Sequence, residues 1–218
     1  AVLRNISRSK EQMPLPDPKD TVKYLSIKYS MPEWIVNLWL PAYGREGTET
    51  LLKGLLSIHP VSLRFSTELT EAERESLAEK IEKTGVRLQQ SGELPYVYLA
   101  QNLENVSELP GFAEGKFHVQ DLSSQLLCAF VSPQPGERLA DVCAAPGGKS
   151  FTLSEYMENT GVLDAFDLYK GRVNLIKKGA ERLGLSIIHA AVRDAATGVC
   201  EKQYDRVLCD VPCSGLGV

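Results

Sequence analysis

The chain has no apolar run approaching the roughly 20 residues that span a bilayer. No apolar stretch follows Arg4, Arg8 and Lys10, as a secretory leader would require. Five cysteines fall at 128, 143, 200, 209 and 213, with no C-x-x-C pair among them. That spacing excludes a zinc ribbon or redox dithiol, so no metal is expected. The odd count suits free thiols in a reducing cytosol, so a cytoplasmic location is expected. There is no basic surplus either: net charge is −4 and the pI about 5.5. Binding to nucleic acid would have to come from a local basic patch. Internal repeats, low-complexity segments and the dinucleotide fingerprint G-x-G-x-x-G are all absent. What is present is an ordinary globular composition, 43% hydrophobic and 24% charged over 218 residues. That length is enough for one large or two modest domains with their own cores.

Residues 1–20 read as a remnant. Residues 1–6 resemble the end of a helix, and 13–20, with three prolines, read as a linker. Opening on Ala rather than Met is what an excised piece would show; a disordered start or a removed tag would look the same. From Thr21 the composition turns globular. Helices are expected at 21–29, 32–43 and 48–56. In the second, Trp34, Leu38 and Trp39 share one face, a stripe read as core in preference to a surface for stacking RNA bases. Residues 61–65 alternate like a half-buried strand. Residues 70–84 open on the capping-box pattern Thr70-Glu-Ala-Glu73 and read as a helix. Strands at 86–89 and 96–100 flank a Ser91-Gly92 turn. Residues 21–104 thus form a small α+β module. A Gly/Pro-containing connector and a leading helix at about 123–131 fill 105–137. Beyond it, strands at 138–143, 161–167, 186–191 and 204–210 alternate with helices at 147–158 and 170–183. That order argues a parallel, doubly wound α/β sheet, about four strands of it.

Such sheets bind ligands outside the carboxyl ends of their strands. The first strand runs into Cys143, Ala144, Ala145, Pro146, Gly147, Gly148 and Lys149. Small residues admit a ligand to the backbone, and the glycines permit dihedrals forbidden elsewhere. Asp167 closes the second strand, about twenty residues past the first glycine, where such folds place an acid for ribose hydroxyls. Asp194 follows the third strand, where an acid often meets adenine. Gly147-Gly148-Lys149-Ser150 nearly completes a Walker A loop, and 206–210 imitate a Walker B strand. However, Cys143 stands where the first glycine belongs, and Pro146 withholds a backbone N–H from a phosphate cradle. An adenosine ligand without a triphosphate is favoured. Asp210-Val-Pro-Cys213-Ser214 ends the fourth strand, and a thiol after proline at a strand tip suits chemistry as a thiolate. Cys128, Cys200 and Cys209 read as small buried hydrophobes, with Cys143 intermediate. Lys149 is either a contact to cofactor or substrate phosphate or a solvated helix start. Arg172 is either a contact at the cofactor edge or a surface ion pair.

These residues resemble the RNA 5-methylcytosine methyltransferases that use S-adenosyl-L-methionine, most closely the small-subunit ribosomal RNA enzymes of the RsmB/Sun/Fmu type. Residues 143–149 look like the family's first cofactor motif. Asp167 and Asp194 match its ribose and adenine acids, and 210–215 its Pro-Cys motif. Residues 115–121 resemble the segment preceding its catalytic domain. The resemblance implies a Rossmann-like methyltransferase domain at 138–218, cut after about four strands and preceded by a small α+β domain at 21–104. Residues 1–20 would close an N-terminal helical RNA-binding (NusB-like) domain. It further implies Asp210 and Cys213 as catalytic residues, and 143–149, Asp167, Arg172, Asp194 and Asp210 at the cofactor. Small-subunit ribosomal RNA would be the partner, and the full-length enzyme a monomer. In this family a second cysteine, in a later Thr-Cys motif, attacks the base, and the Pro-Cys thiol promotes release. That later motif is not in the 218 residues, so Cys213 is expected to be the releasing thiol and the piece alone to be inactive. The alternatives are a P-loop ATPase and an RNA-binding module without catalysis.

Overall fold

The computed structural model describes residues 8–9, 15–57, 60–92, 94–197 and 203–212. Two compact units divide near residue 58. The first is helical: α1 (Thr21–Lys28) and α2 (Glu33–Leu55). Asp20 caps α1 by accepting from the Lys23 amide. The two helices expected at 32–43 and 48–56 are both present within α2, parted at Gly44, whose φ of 68° leaves the helical region. Leu25, Tyr29, Val36 and Leu52 make a small core, with Trp39 packed against it. The aromatic stripe is split, however, since Trp34 is 59% exposed.

The second unit holds two four-stranded sheets. The first contains β1 (Val61–Phe65), β2 (Arg87–Gln90), β3 (Val97–Gln101) and β4 (Phe117–Val119), in the antiparallel order β2-β3-β1-β4. The sequence pattern left β4 unassigned, because three residues carry too little periodicity. Helix α3 (Glu71–Glu82) begins at Thr70, and the capping box with Glu73 forms as expected. Leu77 and Ile81 of α3 pack on Leu63, Phe65 and Phe117. The strand β1 was expected to be half-buried, yet Ser62 and Arg64 on its other face are buried as well. That face lies against two helices of the second half of the unit, α4 (Leu122–Val131) and α5 (Gly148–Tyr156). Arg64 bonds Gln125 of α4 and Glu155 of α5.

The second sheet contains β5 (Arg138–Asp141), β6 (Val162–Asp167), β7 (Ile188–Val192) and β8 (Arg206–Leu208), all parallel, in the order β7-β6-β5-β8. Helices α5 and α6 (Lys170–Leu183) provide the crossovers from β5 to β6 and from β6 to β7. Leu139, Leu163, Ala165 and Leu208 form the core with Leu153, Met157 and Ile176 of those helices. The chain first builds outward through β6 and β7, then returns to the other side of β5 for β8. Strand order therefore reverses between β5 and β8, which creates the crevice where this architecture binds ligands. One close approach ties the halves together: a Cβ on Gly115, at φ +69°, would lie 2.0 Å from the Arg182 carbonyl oxygen. The Arg182 guanidinium in turn donates to the carbonyls of Phe112 and Phe117.

Candidate cofactor and catalytic site

The loop after β5 is pinned from both neighbouring strands. The Val142 amide donates to Leu208 O at 3.0 Å, and the Ala144 amide to Phe166 O at 2.8 Å. Gly147, at φ 117°, turns the chain into α5, and a Cβ there would meet the Phe151 ring at 2.3 Å. Glycine is therefore required at 147 both by dihedral and by space. The peptide Ala145–Pro146 is cis.

Asp167 sits where β6 ends and is almost buried. Its carboxylate accepts from the amides of Ala145 and Tyr169, each at 3.3 Å. Arg172 reaches it at 3.4 Å and also donates to Ala145 O at 2.9 Å. Arg172 is thus a half-exposed ion pair, as one alternative expected, and it also ties the loop to the acid. Lys149, in the first turn of α5, pairs with Asp210 beyond β8 at 2.7 Å. That contact spans the switch point, so Lys149 is not a solvated helix start. Asp194 is exposed beyond β7 and accepts from the Ala196 amide at 2.9 Å. The structure therefore joins 145, 167 and 172 in one cluster and 149 and 210 in another. Cys213 and Cys200 lie outside the described residues. Cys128 is buried as expected, and burial pushes its thiol up to about 11. Cys209 was expected to be buried and is exposed, because β8 turns its odd-numbered side chains, Val207 and Cys209, away from the core. Burial, then the neighbouring thiol of Cys209 and nearby acids, raise the Cys143 thiol above its ordinary value.

Sequence reasoning missed the support beneath this loop. Asp141 is buried, and burial lifts its carboxyl to about 6. Its Oδ2 accepts from Ser150 Oγ at 2.7 Å, locking the third residue of α5 onto the end of β5. An acid ending an apolar strand was the available signal. Further down α5, Thr152 donates to Gln120 and meets His118 Nε2 at 3.2 Å. No spacing rule links those residues. Leu168, directly after Asp167, is half exposed, an apolar side chain beside the acid.

The parallel sheet with its switch-point crevice is that of Rossmann-like methyltransferases. The solved structure of PH0851 superposes with a TM-score of 0.81 at 32% identity, covering 92% of this chain and 45% of that one. A methyltransferase homologue from Pyrococcus horikoshii shares the fold, with a TM-score of 0.74 at 22% identity over 90% of this chain and 64% of its own. Residues 128–218 match the family described as 16S rRNA methyltransferase RsmB/F. The probable ribosomal RNA small subunit methyltransferase B of Bacillus subtilis (strain 168) is 36% identical over all of this chain and 48% of its own length. Its Synechocystis counterpart is 33% identical over 99% and 49%. Residues 128–218 thus carry the domain of the RsmB/F methyltransferase family, and the chain spans about half the length of the curated relatives it matches.

Proposed function

We propose that the chain is part of a methyltransferase that uses S-adenosylmethionine to modify small-subunit ribosomal RNA. The observation that carries this reading is the set of carboxylates at the strand tips. Asp194, Asp167 and Asp210 follow β7, β6 and β8, and the one lysine of the loop is already paired with Asp210. Arg172 and Lys149 are committed to Asp167 and Asp210 and so are not free for a triphosphate, and Pro146 removes an amide from any phosphate cradle, whereas the carboxylates suit the donors of an adenosine cofactor. When bound, S-adenosylmethionine supplies a methyl group activated by a sulfonium. Asp167 would accept from the ribose hydroxyls and Asp194 from the adenine amino group. Residues 143–148 let the aminoacyl part approach the backbone. Asp210, oriented by Lys149, would hold a hydrogen-bond donor of the substrate. The names of the curated relatives support ribosomal RNA as that substrate. A cytoplasmic location and a monomeric full-length enzyme belong to the same reading.

The finer proposal is methylation at cytosine C5. A thiolate adds to C6, C5 takes the methyl group, a base removes the C5 proton, and the thiolate is expelled to restore the ring. Cys213 is assigned the release step and a cysteine outside these residues the attack. Calorimetry with S-adenosylhomocysteine and with ATP tests the cofactor, and heat from ATP alone would make this a P-loop protein. In the whole enzyme, Cys213→Ser should accumulate a covalent protein–RNA adduct. A variant with neither adduct nor activity would make Cys213 the attacking thiol.

A further inference from the structure

We propose that the exposed stripe of α6 formed by Lys170, Lys177 and Lys178 is a docking surface for the sugar-phosphate backbone of RNA; this rests on the reading of the chain as an RNA methyltransferase. An acidic protein needs a local patch to hold a polyanion. The helix α6 supplies one, with five cations (Lys170, Arg172, Lys177, Lys178 and Arg182) against the single acid Glu181. Two of the cations have structural work. Arg172 holds Asp167 and Ala145, and Arg182 holds the carbonyls of Phe112 and Phe117. Lys170, Lys177 and Lys178 are exposed and form no ion pair among the described residues.

Their spacing puts them on one side of the helix, with exposed Asn174 between them, while Val173, Ile176 and Ala180 are buried. The stripe runs about 12 Å from Lys170 to Lys178. It starts three residues past Asp167, so it leads away from the crevice. A merely solvated helix face mixes signs in i, i+4 pairs. Here the only acid is Glu181, which follows Lys177 in the weaker order for such a pair. The helix start argues the same way. Its first turn carries Lys170 and Arg172 and no acid, and Tyr169 provides no side-chain cap. Cations at the positive end of a helix dipole cost stability; Asp167 offsets Arg172, which leaves Lys170 as the cation that an arriving anion would relieve.

The test is fluorescence anisotropy of the chain with a labelled single-stranded RNA of about twenty nucleotides, titrated over a range of salt. Lys170→Gln/Lys177→Gln/Lys178→Gln should weaken binding about tenfold at low salt. It should also flatten the slope of log affinity against log salt by about 2, the loss of three phosphate contacts on a single strand. The control, Lys53→Gln/Lys80→Gln/Lys83→Gln, removes the same charge from exposed positions elsewhere and should leave the slope unchanged. Equal losses from both variants, an unchanged slope in the α6 variant, or no RNA binding by the parent chain would overturn the proposal. So would poly-L-glutamate displacing the probe as well as unlabelled RNA does, since that would point to an acidic protein surface. S-adenosylhomocysteine binding by the same proteins separates the two readings. Cofactor binding without the α6 effect removes only the docking surface, whereas the α6 effect without cofactor binding removes the methyltransferase reading.

Discussion

At Asp167 one carboxylate serves the fold and, in the proposed function, the ligand. Two amides and Arg172 hold it at the tip of β6, nearly buried, so its orientation is set before any ligand arrives. Preorganised, charge-assisted hydrogen bonds to ribose are worth roughly 1.5–3 kcal/mol. Asp167→Ala should therefore weaken S-adenosylmethionine binding about ten- to a hundredfold. Calorimetry on the folded variant reads this directly, and unchanged affinity would move the ribose site elsewhere. Lys149 and Asp210 act differently. Both are partly exposed, so their pairing is a matter of aim more than of stability. Asp167, Asp194, Asp210 and the loop were legible in the sequence because each sits at a strand end that alternation locates. The role of Arg172 was not, because its partner Ala145 O is a backbone atom 27 residues away.

The element on which the site depends is α5. Its start is the proposed cofactor loop, and its remaining turns are clasped by β4 and the segment after it. His118 sits on β4, buried against Thr152 and edge-on to Phe151. Burial first, then the Arg64 charge, lower its pKa to about 3, so the ring is neutral in the fold. The unfolded chain takes up a proton below about 6.5 that the folded one refuses. His118 therefore costs stability progressively as pH falls from about 6.5 toward 3, and nothing above that window. Asp141, raised by burial to about 6, acts in the opposite sense, favouring the fold at lower pH. In urea unfolding, His118→Gln should gain on the parent by on the order of 2 kcal/mol between pH 7 and pH 5. The same pH response in both proteins would show that the ring is not held neutral.

Across the larger unit, the two sheets are joined by a charge buried between them. Arg64, fully buried on β1, bonds Glu155 at 2.7 Å and lies over the rings of Tyr96 and Tyr156. Removing one member of a buried pair strands the other, typically at about 3–5 kcal/mol, whereas replacing both with apolar side chains is often neutral. Arg64→Met should thus be severely destabilising, and Arg64→Met/Glu155→Met should recover most of the loss in thermal or urea unfolding. A double variant as unstable as the single one would assign the effect to packing. Both sheets should melt in one transition, because the pair, the Arg182 clamp and the Gly115 contact all cross between them.

By itself the sequence determined the order of strands and helices in the parallel sheet, the capping of α3, the tight loop before α5 and the acids at the strand tips. Each of these follows from local rules: side-chain period, capping chemistry and glycine dihedrals. The tertiary structure alone decided that β1 is buried on both faces, that Cys209 faces outward, that Lys149 meets Asp210 and that Arg64 finds Glu155, 91 residues away. An alternating strand declares which residues share a face. What packs on the polar face depends on elements far along the chain, and a buried cation is tolerated only where the fold brings it a partner.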